Sequence, residues 1–305
     1  MEEWVVGCGS AAPRSITTFL LGQARNRVED GWRANPMKRI PEPELMDSDE
    51  QARAYAAADF SEAHQSYVTL FHETFPERPA TATALDLGCG AADVVIRFAE
   101  ANPRYRFHAV DGSAAMLKYA RKALRKRPNL ARRIKLARAL IPEARLPRKI
   151  YDVILSSNFL HHLHEPAALW QTIRRYAKHG TIVFVTDLFR PPNGAAAKRL
   201  VERYAAAEPA ILRRDFLNSL LASFTVEEVR EQLIQAQFGH LRVEKISDRH
   251  MMVSGLIGHV ARHDSKPVRI FASSSSFPMK TIRLCRFSSG LQNRSGVASN
   301  IICTP

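Results

Sequence analysis

The stretch Leu-Asp-Leu-Gly-Cys-Gly-Ala-Ala-Asp at residues 85–93 decides how this chain should fold. An apolar run from Ala82 leads into it and predicts a short buried strand, and a helical pattern follows it as far as Ala101. Gly88 and Gly90 permit a tight turn between strand and helix, and they let a ligand approach bare backbone. A glycine turn in this position is typical of α/β sheets that bind nucleotides.

Strands and helices alternate on both sides of this turn. Two helices are predicted within residues 44–75, before the first strand. The predicted strands are 82–87, 105–110, 134–137, 151–156, 181–186, 241–246 and 251–256. Such alternation requires an α/β fold with a mostly parallel sheet, helices on both faces, and an antiparallel hairpin formed by the last two strands at one edge.

Composition limits the class of protein. The 305 residues are 46% hydrophobic and 24% charged, as in an ordinary globular chain. No apolar run approaches the roughly 20 residues of a membrane-spanning helix, and Glu2 and Glu3 do not fit a secretory signal. The four cysteines are scattered without the spacing of a disulfide framework or a zinc site. We therefore expect a cytoplasmic protein with no membrane span.

Much of the formal net charge of +14 belongs to the two ends of the chain, where residues 1–40 hold six Lys or Arg against four acids. Residues 258–305 hold seven Lys or Arg and one acid, and they are rich in Ser; residues 1–36 lack sustained periodicity. We expect both segments to be poorly ordered extensions of one domain at residues 37–257. Residues 118–135 hold nine Lys or Arg and no acid, with Tyr119 as the single aromatic residue. This run favours a solvated helix face over a nucleic-acid site.

The charge of the ligand follows from three acids near the strand ends. Asp111 ends the second strand, where a carboxylate can accept hydrogen bonds from ribose hydroxyls. A dinucleotide site needs a small residue where Asp93 stands, because a carboxylate there repels pyrophosphate. Asp86 adds a second acid beside the glycine turn. The acids favour a nucleoside ligand that carries positive charge and no phosphate.

Three motifs at successive strand ends, at residues 86–90, 110–117 and 151–163, resemble those of class I S-adenosylmethionine-dependent methyltransferases, especially the small-molecule branch. The resemblance covers about residues 41–258. It implies a Rossmann-like seven-stranded sheet in the order 3-2-1-4-5-7-6, a helical N-terminal cover, and a substrate-lid insert at residues 192–224. It also implies S-adenosyl-L-methionine as cofactor and direct displacement of its methyl group by a small-molecule acceptor.

The same resemblance implies roles for residues at matching positions. Asp86 would orient the donor's amino group through water, Asp111 would hold the ribose, and Met116 would pack on the adenine. Ala139 and Leu140 would offer backbone groups to the adenine, because the acidic residue common after the third strand is missing. The predicted cofactor-binding residues are Asp86, Gly88, Cys89, Gly90, Asp111, Gly112, Met116, Ala139, Leu140, Ser156 and Asn158.

His161, His162 and His164 are predicted to face the pocket, and Asp187 ends the fifth strand. No carboxylate or cysteine stands at metal-ligand spacing from these histidines, so no metal is expected. Two roles remain open for His161: a general base, and a side chain that packs and hydrogen-bonds beneath the cofactor. The catalytic candidates are His161 and Asp187.

Two other functions remain open beside the small-molecule enzyme. One is an RNA or protein methyltransferase. Against a nucleic-acid substrate, residues 156–159 read Ser-Ser-Asn-Phe, where a nucleic-acid enzyme of this class typically carries an Asn-Pro-Pro-Tyr-like tetrapeptide. The other is a binding module without turnover.

The acid at the end of the second strand gives the first testable prediction. We expect Asp111→Ala to weaken donor binding at least tenfold, because the ribose loses charge-assisted hydrogen bonds. Calorimetric titration measures the affinity, and an unchanged value would remove Asp111 from the site.

Overall fold

A seven-stranded sheet in the order β3-β2-β1-β4-β5-β7-β6 organises the chain and confirms the predicted topology. Strands β1 to β5 run parallel, and β7 lies antiparallel to both β5 and β6. The computed structural model describes residues 37–43 and 45–258, so the predicted extensions, apart from Gly258, lie outside the described residues. The strands are β1 (Thr83–Leu87), β2 (Arg106–Asp111), β3 (Ile134–Arg138), β4 (Val153–Ser157), β5 (Ile182–Leu188), β6 (Arg242–Lys245) and β7 (His250–Leu256).

The helices begin where the sequence supplies caps. The side chains of Ser48, Ser113 and Thr225 each accept a backbone hydrogen bond at a helix start, and Thr225 and Glu228 together form a capping box. The helices are α1 (Asp49–Ala57), α2 (Ser61–Thr74), α3 (Asp93–Ala101), α4 (Ala114–Arg125), α5 (Pro128–Ala131), α6 (Ala167–Tyr176), α7 (Gly194–Ala205), α8 (Ala210–Ala222) and α9 (Val226–Gln235). A 3-10 turn spans Leu160–His162.

Apolar side chains cover both faces of the sheet. On one face Phe71 of α2 meets Phe98 and Phe184, with ring centroids 5.3 and 5.4 Å apart. On the other face Trp170 and Phe238 lie in a second buried cluster. Each such aromatic ring contributes about 1.5–3 kcal/mol by leaving water. Strand β5 is buried along its whole length because both faces are covered.

The segment at residues 37–43 is tied to the carboxyl edge of the sheet by Arg39. Its Nε donates to the carbonyl of Ala222 at the end of α8, and its Nη2 donates to the carbonyls of His161 and Leu163, each at 2.9 Å. The guanidinium also lies 4.0 Å from the ring centroid of Phe224. One side chain therefore joins the N-terminal segment, the insert helices and the loop after β4.

No helix within residues 37–43 and 45–258 is long and apolar enough to cross a bilayer.

Candidate active site

The glycine turn after β1 is held against β2 and covered by the loop after β4. The amides of Gly88 and Cys89 both donate to the carbonyl of Val110, at 2.9 and 3.0 Å. Gly88 has a φ of +76°, and a Cβ on it would lie 2.3 Å from Cγ of Phe159. Glycine is needed here both for the backbone conformation and for the lack of space.

Asp86 presents an unpaired carboxylate at the bottom of the cavity. The residue is 2% exposed, and its Oδ2 has no hydrogen-bond partner among the described residues. Burial, followed by the negative charge of Asp111, raises the pKa of Asp86 to about 7. A buried carboxylate without a partner costs free energy, so this position fits a ligand that brings a positive charge or hydrogen-bond donors.

Asp111 is already fixed by the backbone on both of its oxygens. The amide of Gly90 donates to Oδ2 and the amide of Ser113 donates to Oδ1, each at 2.8 Å. Each oxygen keeps a lone pair, which leaves capacity for two ribose hydroxyls. Burial raises the pKa of Asp111 despite these bonds. Met116 and Gly112, which are predicted to bind the cofactor, line the same cavity.

Three predicted contacts need correction. Ser156 is fully buried inside β4 and donates its hydroxyl to the carbonyl of Leu87, so it does not line the cavity. The strand runs one residue further than predicted, and Ser157 and Asn158 line the cavity instead.

Ala139 and Leu140 are likewise not among the lining residues. The amide of Ala139 is occupied by the carbonyl of Asp111, and Leu140 is 61% exposed above Gly112.

Asp93 keeps its negative charge through partners of its own. Its Oδ2 lies 2.7 Å from Nδ1 of His64 and 2.8 Å from Nε of Arg97. Burial acts to raise the pKa of Asp93, but these two hydrogen bonds lower it to about 2. The Asp93 carboxylate lines the cavity, but among these three acids it is Asp86 whose Oδ2 lacks a partner.

The cavity above the turn measures about 270 Å³. The leading helices contribute Tyr55 and Tyr67 to its lining, and the hydroxyl of Tyr67 bonds the side chain of Asn158. Arg213 and Arg214 of the insert do not line it. Other lining residues were not predicted from the sequence, because the pattern of each element predicts its secondary structure and not its contact with the cavity. They include His64, Phe159, Ser219, Arg249 and His250.

The structure brings both catalytic candidates together. Nδ1 of His161 lies 2.5 Å from Oδ1 of Asp187, and the amide of His161 donates to Oδ2 of the same carboxylate. Nε2 of His161 lies 3.5 Å from Oε1 of Glu42, and Nδ1 of His162 lies 3.3 Å from that oxygen. The sequence shows no carboxylate at metal-ligand spacing from these histidines, because Glu42 lies 119 residues before His161 and only the fold brings it to them.

The protonation of this cluster is set by burial and by its two carboxylates. Burial lowers the pKa of His161, but Asp187 raises it above its usual value overall. Burial raises the pKa of Asp187, yet His161 lowers it overall, and burial raises the pKa of Glu42. Burial and then His161 lower the pKa of His162 to about 3. His164, predicted to face the pocket, is exposed and does not line it.

A second cavity of about 510 Å³ adjoins the first and shares Tyr55 and Asp93 with it. Its basic lining residues are Arg53, Arg97, Lys122, Lys126 and Arg127, three of them from the predicted basic run. Part of the basic run at residues 118–135 therefore lines a cavity that adjoins the first one.

Comparison with known proteins agrees with this architecture. Residues 85–183 match the model of a family described as "Methyltransferase domain". A methyltransferase structure from Aquifex aeolicus, described as SAM dependent, is 17% identical, with 69% of this chain and 98% of that chain covered and a TM-score of 0.52. A putative O-methyltransferase from Nostoc punctiforme is 18% identical, with 78% and 68% covered and a TM-score of 0.51. No curated protein matches the chain in sequence.

Comparing Gly88 with Gly180 distinguishes the lack of space for a side chain at the turn from the need for a left-handed backbone conformation. Gly180 has a φ of +80° with nothing within 4 Å of an added Cβ, whereas Gly88 has the same backbone conformation and a blocked Cβ position. We expect Gly180→Ala to cost about 1–2 kcal/mol, the price of left-handed backbone, and Gly88→Ala to cost clearly more. Urea unfolding measures both, and equal losses would contradict the close contact with Phe159.

The unpaired acid gives a pH-dependent prediction for stability. The pKa of Asp86 is about 7 in the folded protein, which is above its value in the unfolded chain. The free energy of unfolding therefore falls as the pH rises toward 7, and the full loss is present above pH 7. We expect Asp86→Asn to gain melting temperature over the unmodified chain, and the gain should grow between pH 5 and pH 8. The exposed Glu244→Gln is the matched control. A gain independent of pH would show that Asp86 is not the titrating group.

Proposed function

We propose that this chain, whose residues 85–183 match a family described as "Methyltransferase domain", transfers the methyl group of S-adenosyl-L-methionine to a small-molecule acceptor held beneath the insert helices. The observation that carries the proposal is the unpartnered, buried carboxylate of Asp86 beside a glycine turn that leaves backbone open to the cavity. A cationic donor compensates that acid, whereas a phosphate-bearing cofactor would add repulsion.

The residues present fit such a donor. Asp86 would take its amino group, Gly88, Cys89 and Gly90 would line its methionine part, and Asp111 would take the ribose hydroxyls. Gly112 and Met116 would line the adenine, with Asn158 near the methionine part and Ser157 in place of Ser156. When bound, the donor supplies an activated methyl group on a sulfonium, ready for displacement.

The protein's contribution to such a displacement is alignment and exclusion of water. Helices α1 and α2 line one side of the cavity, and α7 and α8 of the insert line another, with Tyr204, Leu212 and Phe216 among the contributing side chains. Holding two reactants in a productive geometry is worth about 7–11 kcal/mol, so the reaction needs little acid-base machinery. The insert at residues 192–224 is proposed to be the substrate lid on these grounds.

His161 and Asp187 are proposed to act at the acceptor end of the cavity. Asp187 fixes the orientation of the His161 imidazole through two hydrogen bonds, so that Nε2 points to Glu42. Ser219 of the lid donates to that same Glu42 carboxylate, which places the lid and the histidine loop around one polar cluster. His161 would thereby position the acceptor's reacting atom, with Asp187 as its positioning residue.

The basic second cavity favours one alternative acceptor, a nucleic acid. Lys122 of α4 and Lys126, which directly follows it, line the second cavity, and that cavity shares Tyr55 and Asp93 with the first. A phosphate backbone lying there would be attracted by these cations. The insert helices cover one side of the first cavity, and this cover supports the small molecule more strongly, because a polymer needs an open path to the methyl group.

A labelling experiment separates these functions. Purified protein with radiolabelled donor is added to a cell extract, and products are sorted into small molecules, RNA and protein. We expect label among the small molecules, its loss with Asp111→Ala, and its retention with a Lys122→Ala and Lys126→Ala double variant. Label in RNA that disappears in the double variant would establish the nucleic-acid alternative. Donor binding without incorporation into any fraction would identify a module without turnover.

A further inference from the structure

We propose that Glu42, His161 and His162 form a binding site for a divalent transition-metal ion at the wall of the cavity. Two imidazoles and one carboxylate are the ligand set of many zinc and iron enzymes, which leave further coordination positions open to a substrate. Sequence spacing does not reveal this site, because its carboxylate belongs to the N-terminal segment. The assignment concerns ion binding alone and does not require that the proposed methyl transfer be correct.

The distances match those that a metal needs. One ligand atom from each residue lies within 4.8 Å of the others. Oε1 of Glu42 is 3.3 Å from Nδ1 of His162 and 3.5 Å from Nε2 of His161. Metal-ligand bonds of about 2.0–2.1 Å place the ligands of a tetrahedral site roughly 3.3–3.4 Å apart. Two of the three separations are therefore already close to those of a loaded site.

Each histidine turns one ring nitrogen toward Glu42. Nδ1 of His161 is engaged by the carboxylate of Asp187, so Nε2 is the nitrogen that faces Glu42, and it carries a lone pair when the ring is neutral. Nδ1 of His162 faces the same carboxylate and has no hydrogen-bond partner among the described residues. With both rings neutral, three acceptor atoms converge on one point, where a cation belongs.

Two of the three ligands are held by an outer partner, as metal ligands usually are. Asp187 orients His161, and the hydroxyl of Ser219 donates to Oε1 of Glu42. The side chains of Glu42, His161 and His162 are 10%, 3% and 16% exposed. Glu42 and Asp187 together carry two negative charges when ionised, which would balance a divalent ion in this buried setting.

The position of the cluster defines what the ion would do. His161 and His162 line the cavity beneath the lid, so open coordination positions would face the acceptor and not the solvent. An ion there would bind a hydroxyl or thiol of the acceptor and lower its pKa, and the released proton would pass to solvent or buffer. The acceptor would then attack as an oxygen or sulfur anion. The substrate class that fits is a small molecule with such a group; this last step rests on the proposed function.

Cobalt is the probe, because its visible ligand-field bands report coordination directly. Untagged full-length protein is stripped with a chelator and titrated with Co²⁺, and Zn²⁺ is then added in competition. We expect bands that saturate at one ion per chain and disappear with Zn²⁺. Glu42→Gln and His162→Gln should each weaken binding at least tenfold, and Asp187→Asn should weaken it 10–100-fold as an outer partner does.

The control variant is His240→Gln, which removes an exposed imidazole that lies outside the cavity lining and should leave the titration unchanged. Circular dichroism and binding of S-adenosylhomocysteine show that each variant is folded. Absence of a saturable one-to-one spectrum, or equal cobalt affinity in Glu42→Gln and the unmodified chain, would overturn the site and show that protons alone bridge the cluster. Because neither methyl donor nor acceptor is present, this result is independent of the labelling experiment.

Discussion

Parallel pairing of β1 with both β2 and β4 is the constraint on which the whole site depends. The pairing brings the carboxyl ends of the three strands to one edge, and the chain leaves that edge by the glycine turn. Asp86, Asp111 and Asn158 meet there although they come from three separate elements. The blocked Cβ position of Gly88 shows how tightly the loop after β4 closes on this turn.

The acids at this edge have different roles because their partners differ. Asp93 is stabilised as an anion by His64 and Arg97, and Asp111 by two backbone amides. Asp86 alone among these three lacks a partner for one oxygen. Burying this carboxylate costs free energy that a cationic ligand would offset. This observation favours a cationic ligand more specifically than the presence of three acids near the strand ends does.

A second polar centre lies where the lid, the loop after β4 and the N-terminal segment meet. Arg39 ties the three together through backbone carbonyls, and this places Glu42 against the histidines. The cluster of carboxylates and imidazoles is nearly closed to solvent and faces the cavity through His161 and His162. The glycine turn and this cluster thus occupy different walls of one cavity, and under the proposed function the first would hold the donor and the second the acceptor.

The sequence by itself determined the alternation of strands and helices, the glycine turn and the acids at the ends of β1 and β2, because these depend on periodicity and on short-range backbone demands. Strand order came from resemblance and was confirmed by the fold. Only the tertiary structure decided that β4 ends at Ser157, which turns the side chain of Ser156 away from the cavity, since side chains alternate along a strand. Only it could bring Glu42 to His161, because a contact between residues so far apart in the chain is set by packing and leaves no local pattern.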